Sequence, residues 1–484
     1  MNLNQKILRK TNLLWALLYF VTIVVALSST QKVFPDTIGY TNMGLGLLEG
    51  KFSSWYFLEK FYPETLRMPG YPLLVGVSVK IFKSHILVYL VQISALLTMY
   101  HLGFMVLQKL VPQKEFRSTA TKIFLILCIA SIQLPYYAGQ IAPQALTGFF
   151  LMLFFYLLSR DRNPHRRVAV AQGVVLGILF QLTPALLLLP LLLLPIILER
   201  QKITKATTLV SGVIFIMTTL PFGLWNYTNH GTFKITPLEG GAGAAHMGFW
   251  QYKLPKNYSE NFYWGNNTGD DLVYPFRESD DLARAAVEDF EVEWHEVHNA
   301  IVKYKTEEDL HWERIMRKEN PGQFVLQSSV YTRAREEALW ALTLKHALNE
   351  PSYYVKTRVY NFFRCYFTGI SENRLREAKS MAQLFSVIYP FFITFTLVLL
   401  GLAFVVTNAI RSWGTLDKNH KILLATVLYF GVVHMPFVTQ ARYSVPVHCL
   451  VFLLVSVFFA PIVKRLTDRT KTSRIRSCVH RVSP

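Results

Sequence analysis

Ten near-uncharged apolar runs, each close to the length that a helix needs to cross a bilayer, dominate this chain. They fall at about 12–29, 86–108, 119–136, 144–159, 168–183, 185–198, 207–224, 385–407, 421–438 and 445–463. A hydrocarbon core of roughly 30 Å needs about 20 helical residues. Lipid offers no partner to the backbone, so only helices or closed barrels can span it. The runs are rich in Leu, Ile, Val and Phe on all sides and lack period-two alternation, which makes them helices. Composition agrees: the 484 residues are 52% hydrophobic and only 17% charged, less charge than a soluble chain of this length carries. The expected fold is an all-α polytopic membrane protein with about ten transmembrane helices and a mostly helical external domain.

The first run, Leu13 to Leu27, follows Lys6, Arg9 and Lys10 as the core of a signal peptide would. No convincing small-x-small cleavage site follows it, and many spans come later, so it reads as a retained first helix. The segment 69–83 is apolar but short and ends on Lys80 and Lys83. It reads as interfacial or re-entrant.

The Lys/Arg bias of short loops gives the orientation. Clusters lie at Lys6, Arg9 and Lys10, at Lys109, Lys114, Arg117 and Lys122, at Arg160, Arg162, Arg166 and Arg167, at Arg200, Lys202 and Lys205, at Arg411, Lys418 and Lys421, and along the tail from Lys464 to Arg481. With ten spans all of these share one side, and both termini are cytoplasmic. The net charge of +19 is then explained by topology and calls for no nucleic acid. The division is a membrane module at 1–224 with an external loop at 30–85, an extracytoplasmic domain at 225–384, a second set of membrane helices at 385–463 and a basic tail at 464–484. Within the external region, 279–318 and 327–349 read as helices, and 351–370 as an interfacial helix. Cys128, Cys365, Cys449 and Cys478 form no metal spacing. Only Cys365 falls outside, so no structural disulfide is expected.

Three stretches could carry chemistry. In the first external loop, Asp36 follows the first span, with Tyr40 one turn later and Arg67 just before Pro69, Gly70, Tyr71 and Pro72. A carboxylate at the membrane surface can act as a general base or metal ligand. After Pro35, Asp36 reads equally well as a helix N-cap. Beyond the seventh span come Asn226, Tyr227, Gly231 and glycines at 240, 241, 243 and 248. Such glycines can bare N–H groups to a phosphate or simply make turns. His246 and Trp250 nearby could touch a sugar. Between the last two spans, Arg442 is the one charge in a very short loop, and it either meets an anion or snorkels. His295 and His298 around Glu296 do not form the H-E-x-x-H zinc motif and read as a solvated face. Asp270 and Asp271 read as a turn and cap.

Together these pieces resemble one family. The pattern Pro-Asp-x-x-x-Tyr, then LLEGKF, then Arg-x-Pro-Gly-Tyr-Pro, is similar to the first external loop of the GT-C membrane glycosyltransferases. The nearest branch holds the protein O-mannosyltransferases and the lipid A aminoarabinose transferase. GVVLGILFQLTPALLLLPLLL, PFGLWNYTNHGTF and ARYSVP resemble later signatures of that branch, in family order. The resemblance implies transfer of a sugar, usually with inversion, from a polyprenyl-phosphate donor to a lipid, glycan or protein acceptor at the outer face of a membrane, here a bacterial inner membrane. It implies Asp36 as base, with Arg67, Tyr71 and Arg442 on the donor phosphate or shaping the site. Tyr40, Gln144, His246 and Trp250 are further sugar or acceptor contacts, and a divalent metal sometimes takes part. The chain departs from the pattern where Thr37 replaces Glu, Gln144 an acidic residue, and Thr183 and Trp225 arginines. A transporter or flippase for a lipid-linked saccharide, or a non-catalytic subunit of an envelope assembly, are the other readings. Inverted repeats are not seen, and intramembrane ionisable residues are few, His434 among them.

Overall fold

The computed structural model describes residues 3–30, 36–160, 166–200, 205–239, 241–254, 280–319, 328–369 and 372–479. Pro35, Arg162, Lys202, Gly240, the sequons at Asn257 and Asn266 and the Asp270–Asp271 pair lie outside them. Every regular element among the described residues is helical.

The chain runs through α1 (Leu3–Ser29), α2 (Thr37–Leu48), α3 (Gly70–Phe82), α4 (Ile86–Leu110), α5 (Lys114–Ala130), α6 (Gln133–Ala138), α7 (Gln144–Arg160) and α8 (Arg166–Leu182). A 3₁₀ turn at Pro184–Leu188 leads into α9 (Leu189–Arg200) and α10 (Lys205–His230). Then come α11 (Ala242–Trp250), α12 (Asp280–Val302), α13 (Glu307–Glu319), α14 (Ser329–Asn349), α15 (Pro351–Arg364) and α16 (Glu372–Glu377). Finally α17 (Met381–Ile393) passes through a π-helical stretch, Thr394–Leu400, into α18 (Gly401–Arg411), followed by α19 (Lys418–His434) and α20 (His448–Val479).

Among the described residues, five helical stretches are long and apolar enough to cross a membrane: Thr11–Ser29, Ile86–Leu110, Thr208–His230, Met381–Arg411 and Val445–Asp468. The chain is therefore an all-helical, polytopic membrane protein. Helices also stand at the other expected spans, but by length and apolarity they do not bear out a count of ten. The run at 119–136 divides, because α5 stops at Ala130 and α6 restarts at Gln133 with Pro135 in its first turn. Pro184 likewise separates α8 from α9: it has no N–H to donate, and it forces Thr183 into an extended conformation.

Local signals account for several boundaries. Ser328 caps α14 by accepting from the Tyr331 N–H at 3.2 Å, and Ser380 caps α17 through the Gln383 N–H at 3.2 Å. Small residues set the close crossings. A Cβ built on Gly173 would lie 2.6 Å from the Ser211 carbonyl oxygen, so α8 meets α10 backbone to backbone. A Cβ on Gly44 would lie 2.5 Å from the Gly76 nitrogen, so α2 and α3 cross with no side chain between them. The main core joins Leu18, Tyr100, Phe124, Met152, Phe430 and Phe452 from α1, α4, α5, α7, α19 and α20. The polar helices have their own cores. Trp294, Val297 and Ile301 of α12 pack on Tyr331 and Leu339 of α14, and Phe290 packs with Met247, Phe249 and Trp250 of α11.

Candidate active site

Asp36 occupies the N-cap position of α2, yet its side chain makes no capping hydrogen bond. The carboxylate faces two guanidinium groups instead. Its Oδ2 lies 3.3 Å from an Arg67 Nη and 3.8 Å from an Arg442 Nη. Asp36 thus stands at the cap position without capping, and its charge is engaged in an ion pair. All three side chains keep some access, at 17% exposure for Asp36, 28% for Arg67 and 17% for Arg442.

Aromatic rings floor this cluster. The Arg67 guanidinium sits 5.6 Å from the centre of the Tyr40 ring, within cation–π range. Tyr40 in turn meets Tyr71 edge to face, with centroids 4.9 Å apart, and both rings are buried. The Tyr71 hydroxyl donates to Gln92 Oε1 at 3.0 Å. The Gln92 amide donates to the carbonyls of Ala138 and Gln140 at 3.0 and 2.7 Å. The Gln140 amide closes the chain by donating to the Ser29 carbonyl at 2.5 Å. A run of buried amides therefore fixes the end of α1, just before Asp36, to α3, α4 and the 138–140 segment. Gln92, Gln140 and Ser29 carry no distinguishing motif, and sequence reading did not single them out.

Arg442 arrives from a 3₁₀ turn, Ala441–Tyr443, between α19 and α20. That turn is pinned from the other side. The Thr439 N–H donates to Gln251 Oε1 at 3.2 Å, and the Gln251 amide donates to the Thr439 carbonyl at 3.3 Å. The Val438 N–H donates to the Ala244 carbonyl at 2.6 Å. The loop carrying Arg442 thus hangs on α11 and the residues just after it.

Burial alone would lower the pKa of both arginines. Electrostatic interactions, with Tyr40 and then Asp36 for Arg67 and with Tyr443 and then Asp36 for Arg442, outweigh it and raise both above the ordinary value. Both cations are fixed at any physiological pH. Two guanidinium groups thus meet at the Asp36 carboxylate, with Glu64 also acting on Arg67, and guanidinium N–H forks of this kind match phosphate oxygens. Burial pushes the Tyr40 hydroxyl up, so it stays a neutral donor.

A divalent ion does not fit beside Asp36. The other nearby carboxylate, Glu64, accepts from the Ser54 hydroxyl at 2.5 Å and from the N–H groups of Ser54 and Leu66 at 3.2 and 3.0 Å. Arg67 and Arg442 already occupy the charge of Asp36. A dication there would face two cations with a single free-standing carboxylate as ligand.

The remaining candidates fall elsewhere. Gln144 opens α7, and its Oε1 is buried with no hydrogen-bond partner among the described residues. His246 and Trp250 lie on α11, away from the packing group of Tyr40 and Tyr71, and both are buried. His246 Nε2 lies 2.6 Å from Glu293 Oε1 of α12, and His346 Nε2 of α14 lies 2.9 Å from both oxygens of that carboxylate. The exposed side of α12 carries His295 and Glu296, as expected of a solvated face, while Glu293 turns inward. Sequence reading missed Glu293 because it stands in the acidic run EDFEVEWHE, where nothing marks it out from its neighbours.

Fold and site together define a class: a polytopic helical membrane protein with a carboxylate held between two arginines beside its first membrane helix. No family model matches the chain, and no curated protein matches it. Among solved structures it is similar to ArnT from Cupriavidus metallidurans, bound to undecaprenyl phosphate. The two are 12% identical, with 90% of this chain and 77% of that one covered, at a TM-score of 0.38. It is also similar to the archaeal oligosaccharyltransferase AglB from Archaeoglobus fulgidus, in complex with an inhibitory peptide and a dolichol-phosphate. Identity is 12%, coverage 93% of this chain and 51% of that one, and the TM-score 0.42. The chain thus spans about half the length of AglB.

Proposed function

We propose that this chain is a membrane glycosyltransferase that moves a sugar from a polyprenyl-phosphate donor to an acceptor at the outer face of a membrane. The observation that carries this reading is the Asp36 carboxylate lying 3.3 Å from Arg67 and 3.8 Å from Arg442. The order of the sequence motifs supports it, since Asp36, Arg67, Tyr71 and Arg442 all belong to stretches that resemble the GT-C branch. The Lys/Arg bias supports an outer position for all four, with the basic loops on the cytoplasmic side of a bacterial inner membrane.

In this mechanism Asp36 takes the proton of the acceptor hydroxyl or phosphate. The acceptor oxygen attacks the anomeric carbon as the bond from that carbon to the phosphate oxygen breaks. The polyprenyl phosphate leaves with the bonding electrons, and the configuration inverts. Arg67 and Arg442 stabilise the charge that grows on the leaving phosphate, where forked N–H donors match its oxygens. Tyr40 and Tyr71 hold Arg67 in place from below. No step is routed through a metal.

The test is transfer from a radiolabelled polyprenyl-phosphate sugar in membranes, scored for product. Asp36→Asn leaves two cations facing each other, so insertion and monodispersity are measured alongside, and Asp36→Glu is run as a charge-preserving control. Loss of a positioned base costs about 10²–10⁴ in rate. Both variants are expected to fall in that range while the protein still inserts. Wild-type transfer by a well-folded Asp36→Asn protein would end the assignment.

A further inference from the structure

The polar helices hold a second constellation, formed where α11, α12 and α14 meet. His246, Glu293 and His346 each offer one ligand atom, and those atoms all lie within 4.8 Å of one another. The carboxylate stands between the rings, 2.6 Å from His246 Nε2 and 2.9 Å from His346 Nε2. The three residues come from three separate helices, so no local turn explains their convergence.

The setting is aromatic. Phe249 stacks on the His346 ring with centroids 4.2 Å apart, and Phe290 lies flat against His246 at 6.1 Å. Trp250 meets His346 edge to face at 5.4 Å. The His246 side chain has no exposure, while Glu293 and His346 keep 13% and 12%. The cluster is therefore enclosed on the His246 side and reachable from the other.

Two imidazoles and one carboxylate are the donor set of open zinc sites and of related first-row divalent centres. Ligand atoms around such an ion at about 2.1 Å stand roughly 3.0–3.4 Å apart. The present spacing needs the carboxylate to back away from each ring by a few tenths of an ångström, and the ligand atoms, now spread over as much as 4.8 Å, to draw together around the ion. The Trp250 indole N–H donates to His246 Nε2 at 3.2 Å. The same nitrogen faces the Glu293 carboxylate at 2.6 Å, so an ion bound there displaces the proton between His246 and Glu293 as well as the indole contact.

We infer that His246, Glu293 and His346 form a site for one divalent ion of the zinc class, which fastens α11 to α12 and α14. The site stands apart from Asp36 and does not depend on the reaction proposed above. Its reach is longer than its size, because α11 also carries the Ala244 carbonyl that receives the Val438 N–H.

The experiment uses the full chain purified in detergent, stripped with a chelator, then exposed to zinc or cobalt and desalted. The expected result is about one bound ion per chain, a visible cobalt spectrum showing nitrogen and oxygen ligation, and a thermal midpoint that rises with zinc and falls with chelator. Glu293→Gln and His346→Gln preserve size and are expected to lose the ion and the spectrum, whereas Trp250→Phe keeps both. A folded wild-type chain that retains no zinc and shows no cobalt spectrum overturns the inference. Unchanged retention by both Glu293→Gln and His346→Gln does so equally.

Discussion

The Tyr62 hydroxyl donates to the Asp309 carboxylate at 2.5 Å, joining the loop that follows α2 to the polar helix α13. Lys60 Nζ adds a second contact to the same oxygen at 3.3 Å. Asp309 also accepts from the Thr306 N–H at 2.9 Å, while its own N–H donates to Thr306 Oγ1 at 3.1 Å, a reciprocal cap on α13. Burial would raise the Asp309 carboxyl, but these donors outweigh it and hold it below the ordinary value. A hydrogen bond to a charged partner is worth about 1.5–3 kcal/mol. Tyr62→Phe is therefore expected to loosen the 52–66 segment by about that amount, read as faster amide exchange there and not in α4. Because the folded pKa is depressed, this contribution is present above the unfolded value and is lost as pH falls through the folded one. The same segment is expected to open first in acid.

Arg442 and Arg67 differ in what a lysine could replace. A lysine keeps the charge at either position but loses the planar fork that spans two phosphate oxygens. Arg442→Lys is expected to raise the KM for the lipid-phosphate donor about tenfold, and Arg442→Ala about a hundredfold, from about 1.5–3 kcal/mol per charged hydrogen bond. Steady-state kinetics against donor concentration would show this split. Because the same guanidinium also stabilises the leaving phosphate, kcat is expected to fall as well, and an unchanged kcat/KM in Arg442→Ala would remove Arg442 from the donor site.

The crossing of α2 and α3 tolerates no side chain. A Cβ on Gly76 would meet the backbone of Gly44, which cannot step aside as a flexible side chain would. Gly76→Ala is expected to destabilise the protein by about 1–3 kcal/mol, the usual cost of overpacking. The check is the thermal midpoint in detergent, with Gly50→Ala as a contrast. At Gly50 a Cβ meets open space, and the strain comes only from a φ of +79°.

His246 gives a pH dependence of definite sign. Its folded pKa lies below the ordinary 6.5 because it is buried. The unfolded chain therefore takes up its proton first as the medium is acidified, and stability falls with pH from about 6.5 downward. His246→Gln removes that proton uptake. Metal-free wild-type protein should lose thermal stability between about pH 6.5 and 5, and the His246→Gln protein should lose less over the same interval. Equal slopes would mean that the buried imidazole does not govern this range.

Much of the helical plan was legible in the chain. Apolar runs longer than a bilayer's thickness are rare without a membrane, so α1, α4, α10 and α20 could be read directly. The split between α5 and α6 was not, because Ser131 and Pro135 are weak punctuation inside an apolar stretch. Asp36, Arg67 and Arg442 could be marked as candidates one by one, yet only the fold brings them to a common point. No periodicity links a residue in the first external loop to one between the last two helices. Glu293 and His346 were out of reach for the same reason. A helix face shows which residues turn inward but not which face of another helix they meet.

The position of Arg442 in the chain has a consequence for biosynthesis. Asp36 and Arg67 leave the ribosome hundreds of residues before the segment with the second guanidinium that faces Asp36. Until that segment is inserted, the carboxylate has only half of its cationic surroundings. The site is thus finished only when the segment carrying residue 442 is integrated, and a nascent chain arrested before it would be anchored in the bilayer without the complete charge pattern.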